Sequence, residues 1–161
     1  MSFRQVEKYI YKLVNYALVL QGIALLVSIT LAVFFRYVVG HALSWPEEVA
    51  GIFFVWFTLF GVAAVLREDG HIEFDFIVKH TPPLVGKIIK LFCMLVILFY
   101  AFFLIYHGYS YARMFSFEST PAARINLLWL TLSLPISGLL ITIFSLLKIA
   151  EIFRPAGRSA S

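Results

Sequence analysis

Charged side chains are scarce in this sequence. Asp, Glu, Lys and Arg make up 14% of its 161 residues, against about a quarter in soluble domains, which argues against a water-soluble fold. Cysteine is nearly absent. The single Cys93 lies in an apolar stretch, and without a second thiol it excludes an intrachain disulfide framework and a cysteine-rich metal site. A small core thiol is its plainest role. No block of basic residues stands clear of the apolar runs, so the formal charge of +4 does not describe a nucleic-acid patch. There are no internal repeats and no low-complexity segment.

What the chain has in quantity is hydrophobic surface, 61% of its residues. Four apolar runs stand out: Tyr16–Val39, Val49–Leu66, Ile88–Tyr106 and Leu127–Ile149. Each is close to the roughly 20 residues that cross a hydrocarbon core about 30 Å thick. The first exceeds the apolar core of a signal peptide, about 7–15 residues, and reads as a first transmembrane helix that stays attached. The second starts early, because Ser44-Trp45-Pro46-Glu47 has the form of a capping box with Pro in the first turn. The expected fold is an all-α integral membrane protein with a single four-helix domain over residues 1–154. Its spans fall at about 16–39, 45–66, 88–110 and 127–149, and a polar tail at 155–161 is expected to be disordered. Four spans leave no room for a separate catalytic domain.

Basic residues set the expected orientation. Arg4, Lys8, Lys12, Arg67, Lys79, Lys87, Lys90, Lys148, Arg154 and Arg158 flank one side of the spans, and Arg36, Arg113 and Arg124 the other. Short loops rich in Lys and Arg stay in the cytoplasm. Both termini and the loop 67–87 are therefore expected inside, and the loops 40–46 and 114–126 outside. Ahead of the first span, Phe3, Val6, Ile10, Leu13 and Val14 recur at helical spacing, with Arg4, Lys8 and Lys12 on another face. That pattern fits either an N-terminal interfacial helix presenting basic groups to anionic lipid headgroups or a cytoplasmic extension of the first span.

Ionisable groups at mid-membrane depth usually mark ion or substrate paths, and this chain has almost none. Gln21, Ser28, Thr30, Thr58, Ser133, Ser137 and Thr142 are the mid-span polar residues, and helix packing accounts for them. Pro135 cannot donate to the carbonyl of Thr131, so a kink is expected in the fourth span. On the second span Glu47, Gly51, Thr58 and Gly61 share one narrow face. Small residues there let another helix approach closely, whether from this chain or another protein.

Charges gather at the first outer turn, where Arg36, His41, Glu47 and Glu48 surround Trp45. A guanidinium at that depth needs a partner or must snorkel. If the capping box engages Glu47, Glu48 is the expected partner of Arg36, in a structural clamp. The inner loop carries His71, Glu73 and Asp75, a superficially metal-like set. Alternation with Ile72, Phe74 and Phe76 describes an amphipathic surface segment more simply, and no metal or cofactor is expected. His107 lacks the facing histidine that a transmembrane bis-histidine haem needs.

These residues resemble the small membrane subunit of tripartite ATP-independent periplasmic (TRAP) transporters, the DctQ-like family. The landmarks are Arg36-Tyr37, Trp45-x-Glu47-Glu48, Phe54-Val55-Trp56 with Gly61, Arg67 followed by Gly70-His71-Ile72 and Asp75, Pro121-Ala122, Leu128-Trp129, and Pro135. The resemblance implies a non-enzymatic scaffold in a bacterial or archaeal inner membrane. Its implied partners are a large multi-span sodium-coupled subunit and a periplasmic binding protein that delivers an organic acid. Arg36, Trp45, Glu47, Glu48, Gly51, Gly61, His71, Asp75, Trp129 and Pro135 are the implied structural or partner-contact positions. Two other classes compete: a self-sufficient four-helix exporter, against which Gln21 stands where a membrane-embedded glutamate is expected, and the membrane anchor of a redox enzyme.

Overall fold

The computed structural model describes residues 3–67 and 83–152. Among them are five helices: α1 (Phe3–Tyr37), α2 (Trp45–Arg67), α3 (Pro83–Met114), α4 (Leu128–Thr131) and α5 (Ser133–Ile152). Four segments are long and apolar enough to cross a membrane: Lys8–Tyr37, Trp45–Arg67, Leu84–Met114 and Leu128–Ala150. The segment 68–82, with His71, Glu73 and Asp75, lies outside the described residues, as does the tail from Pro155.

α1 runs unbroken for 35 residues. The basic, amphipathic stretch before Tyr16 is thus continuous with the first span rather than a separate helix. α1 ends where Gly40 adopts φ +72°, a left-handed conformation that costs glycine little. The N–H groups of Val38 and Val39 donate to Phe34 O and that of His41 to Phe35 O, satisfying carbonyls left free at the helix end. α2 starts at Trp45, with Glu47 and Glu48 in its first turn, where carboxylates favour the helix dipole.

The helices form an open row in the order α1, α2, α5, α3. Backbone neighbours of α1 are on α2 and those of α3 on α5 and α4, while α2 and α5 pack on each other in the middle. A closed four-helix bundle would bring α1 against α3. Burial follows the row: 39% of the most apolar window is buried in the C-terminal span, but only 11% in α1.

The tightest seam joins α3 to α5. A methyl group at Gly108 would lie 2.8 Å from Leu134 Cβ and from Pro135 Cδ, and one at Gly138 would lie 2.8 Å from Ile105 Cγ1 and 3.0 Å from the Ala101 carbonyl oxygen. Lipid tails are as apolar as leucine, so close backbone approach and dispersion hold such helices together. Beside this seam Ala63, Leu66, Met94, Ala101, Leu104, Ile141 and Phe144 form the buried core.

The fourth span is interrupted at Leu132, one turn before Pro135, which has no N–H to give the Thr131 carbonyl. Leu132 itself keeps helical angles, and Pro135 falls in the first turn of α5. Hydroxyls cover the interruption: Thr131 donates to Leu127 O and Leu128 O, Ser133 to Leu130 O, and Ser137 to Leu134 O.

Candidate functional site

Arg36, Glu47 and Glu48 gather at the end of the row formed by the α1–α2 turn and the α3–α4 loop. Arg36, in the last turn of α1, donates from Nη2 to Glu47 Oε1. The partner is Glu47, not Glu48. About half of each side chain is exposed, 49% and 51%, so the pair contributes only about 0–1 kcal/mol. It ties α1 to α2 without the buried-charge penalty that the sequence raised.

Glu48 turns the other way, as successive helical residues do, about 100° apart. Its carboxylate accepts the N–H of Ala122 on Oε1 at 2.9 Å and that of Ala123 on Oε2 at 2.7 Å. This bidentate contact holds a tight loop. Ser119 and Asn126 form an antiparallel bridge, and Thr120 and Ile125 close the turn through Thr120 N–H to Ile125 O and Ile125 N–H to Thr120 Oγ1. Asn126 Nδ2 donates to Ser116 O while its Oδ1 accepts the Leu128 N–H at the start of α4. Arg124 takes φ +53° to complete the turn, an uncommon conformation for a residue with a Cβ. Adjacent carboxylates on α2 therefore anchor two different elements: α1 through Glu47, and the α3–α4 loop through Glu48.

A second tie lies deeper. The Trp56 indole N–H on α2 donates to the carbonyl of Trp129 in α4 at 2.8 Å, and Trp56 meets Phe60 edge-on. Trp129 is 62% exposed, and Trp45 is 43% exposed beside the buried Pro46. At the far end of α2 the Arg67 guanidinium lies 5.0 Å over the ring of Tyr11 on α1, a cation–π contact.

Gly51 and Gly61 have nothing within 4 Å of an added Cβ, and Thr58 spends its hydroxyl on Phe54 O of its own helix. The small-residue face of α2 is therefore not covered by this chain, whereas Gly108 and Gly138, not marked as contact residues in the sequence, carry the close approach. The run Ala101, Gly108, Ala112 at helical spacing was the available signal. The structure brings Arg36, Glu47, Glu48 and Trp45 together and sets Trp129 beside Trp56. Pro135 sits apart at the α3 seam, and no group of metal-ligating side chains occurs among the described residues.

Four apolar spans pinned at one end by consecutive carboxylates describe a packing device. Residues 25–155 match the family described as tripartite ATP-independent periplasmic transporters, DctQ component. The chain belongs to the DctQ family. A TRAP transporter small permease protein of Haemophilus influenzae is 27% identical over 152 residues, 91% of this chain and 90% of the relative. SiaQ of Vibrio cholerae, a sialic acid TRAP transporter small permease protein, is 24% identical over 131 residues, 81% of this chain and 76% of SiaQ. The sialic acid TRAP transporter permease protein SiaT of Haemophilus influenzae is 27% identical over 105 residues, which is 65% of this chain but 17% of that longer protein. This DctQ chain is thus a transporter component and not an enzyme, a multi-pass protein of the cytoplasmic membrane.

Proposed function

We propose that this DctQ chain is the small membrane subunit that scaffolds a large, sodium-coupled membrane subunit for uptake of an organic acid delivered by a periplasmic binding protein. The observation that carries the reading is the match to SiaT, where the corresponding sequence occupies a minor part of one long permease. A segment built into a permease in one protein and separate in another is expected to work beside it in both. The open row supports the same reading, because the Gly51, Thr58 and Gly61 face of α2 is free to accept a helix from outside the chain. The near absence of mid-span charge supports assigning substrate and sodium to the larger partner.

In this reading the end carrying the Arg36–Glu47 pair and the Glu48-anchored loop faces the periplasm, and both termini face the cytoplasm. The excess of Lys and Arg at the opposite end supports that orientation. Reconstitution tests the function. The chain alone is expected to show no sodium-dependent uptake, and co-expression is expected to recover it tightly bound to a large multi-span subunit. Uptake by the isolated chain overturns the scaffold assignment.

A further inference from the structure

We propose that the N-terminal end of α1 holds an anionic phospholipid, with Lys8 and Lys12 on its phosphate and the apolar stripe beyond them along an acyl chain. α1 is too long for the membrane it crosses: 35 residues extend about 52 Å, whereas the bilayer is about 40–45 Å thick with its headgroups. Counting back from Tyr16, where the apolar run begins, Lys12 lies about 6 Å and Lys8 about 12 Å further along the axis. Those positions match the depth of the headgroup layer, and long lysine stems let both ammonium groups settle there.

The two lysines line a surface notch of about 400 Å³ with Gln5 and Tyr9. Both ammonium groups are exposed, and neither takes part in an ion pair among the described residues. Below the notch the same side of α1 continues through Tyr16, Val19 and Ile23, which are 76%, 62% and 56% exposed and fall within a 100° arc of Lys8 and Lys12. The opposite side, with Val14, Ser28 and Ala32, is buried where α1 meets α2. The positively charged notch followed by an uninterrupted apolar strip complements one molecule that is anionic at its head and apolar along its length.

Native mass spectrometry of the full chain tests the assignment, after delipidation and titration with either phosphatidylglycerol or phosphatidylcholine. Each ammonium near an anionic surface is worth roughly a fivefold factor. The wild-type chain is expected to retain phosphatidylglycerol preferentially, and Lys8→Gln/Lys12→Gln to lose that preference by roughly twenty-five-fold. Lys87→Gln, which removes an exposed charge at the start of α3, is expected to keep it, as is Lys8→Arg/Lys12→Arg. Equal retention of the two lipids by the wild-type chain, or a preference that survives in the glutamine double variant, overturns the proposal. In the assembled transporter a photoreactive side chain at Tyr9 is expected to capture lipid; capture of a neighbouring protein subunit instead would show that a polypeptide fills the notch and also overturns it.

Discussion

Alanine at Gly108 separates the row of helices from a closed bundle. The added methyl would sit 2.8 Å from Leu134 Cβ, 2.8 Å from Pro135 Cδ and 2.9 Å from Pro135 N, where carbon contacts prefer about 3.5–4.0 Å. Neither a proline ring nor a backbone nitrogen can rotate aside, so α3 must move away from α5 along its length. Overpacking of this kind costs about 1–3 kcal/mol, offset by about 1 kcal/mol of helix propensity gained on replacing glycine. The net loss is about 0–2 kcal/mol, a factor of up to roughly 30 in the folded-to-unfolded ratio. Gly61→Ala is the matched control, since its methyl meets nothing within 4 Å and should stabilise the isolated chain slightly. Melting of each variant in a mild detergent reads the difference. If Gly108→Ala melts with the wild type while Gly61→Ala melts lower, α3 does not meet α5 as described and the order of the row is wrong.

Glu48→Gln should free the α3–α4 loop, so hydrogen exchange at Ala122 and Ala123 should rise while exchange in the α2 core stays unchanged; slow exchange at both amides in the variant would contradict the anchor. Arg36→Ala and Glu47→Ala should each cost less than about 1 kcal/mol, as an exposed pair does, and a larger loss in either melting curve would show that the pair is buried in the assembled protein. Trp56→Phe removes one interhelical hydrogen bond and should cost about 0.6 kcal/mol, with an upper end near about 1.7, and the loss should disappear in a Trp56→Phe variant whose α4 is deleted. Gly61→Leu should leave the isolated chain folded yet weaken co-purification with the large subunit; undiminished recovery would remove that face of α2 from the interface. In a background with Cys93→Ser, cysteines at Ser116 and Ser119 should label from the periplasm and one at Lys87 only after permeabilisation, and reversed labelling would invert the proposed orientation.

The spans were legible because the hydrocarbon core demands a length that a run of apolar residues displays directly. Their order was not, since in lipid every face of such a helix is apolar and polarity no longer marks the buried side. Gly51 and Gly61 look like contact residues in the sequence as much as Gly108 and Gly138 do, yet only the second pair is packed within the chain. The carboxylates show the same limit. Trp45-x-Glu47-Glu48 located the charged end correctly, but the choice between Glu47 and Glu48 for Arg36 was made by the backbone amides of Ala122 and Ala123, more than 70 residues away. Helical periodicity before Tyr16 is identical for a separate interfacial helix and for an extension of the first span, and one unbroken helix is what forms.

The place of α5 between α2 and α3 has a bearing on biogenesis. Helices enter the membrane in the order in which they are synthesised. α1 and α2 can therefore pair as soon as both have emerged, but α3 then waits beside them with its principal docking surface missing, because that surface belongs to α5. Gly108 has no counterpart until Leu134 and Pro135 arrive. A nascent chain cut short before Ser133 has the α1–α2 pair, while its α3 is held to α2 only through the Glu48-anchored loop and α4. The α3–α5 seam therefore assembles only once Ser133–Ile152 has entered the membrane.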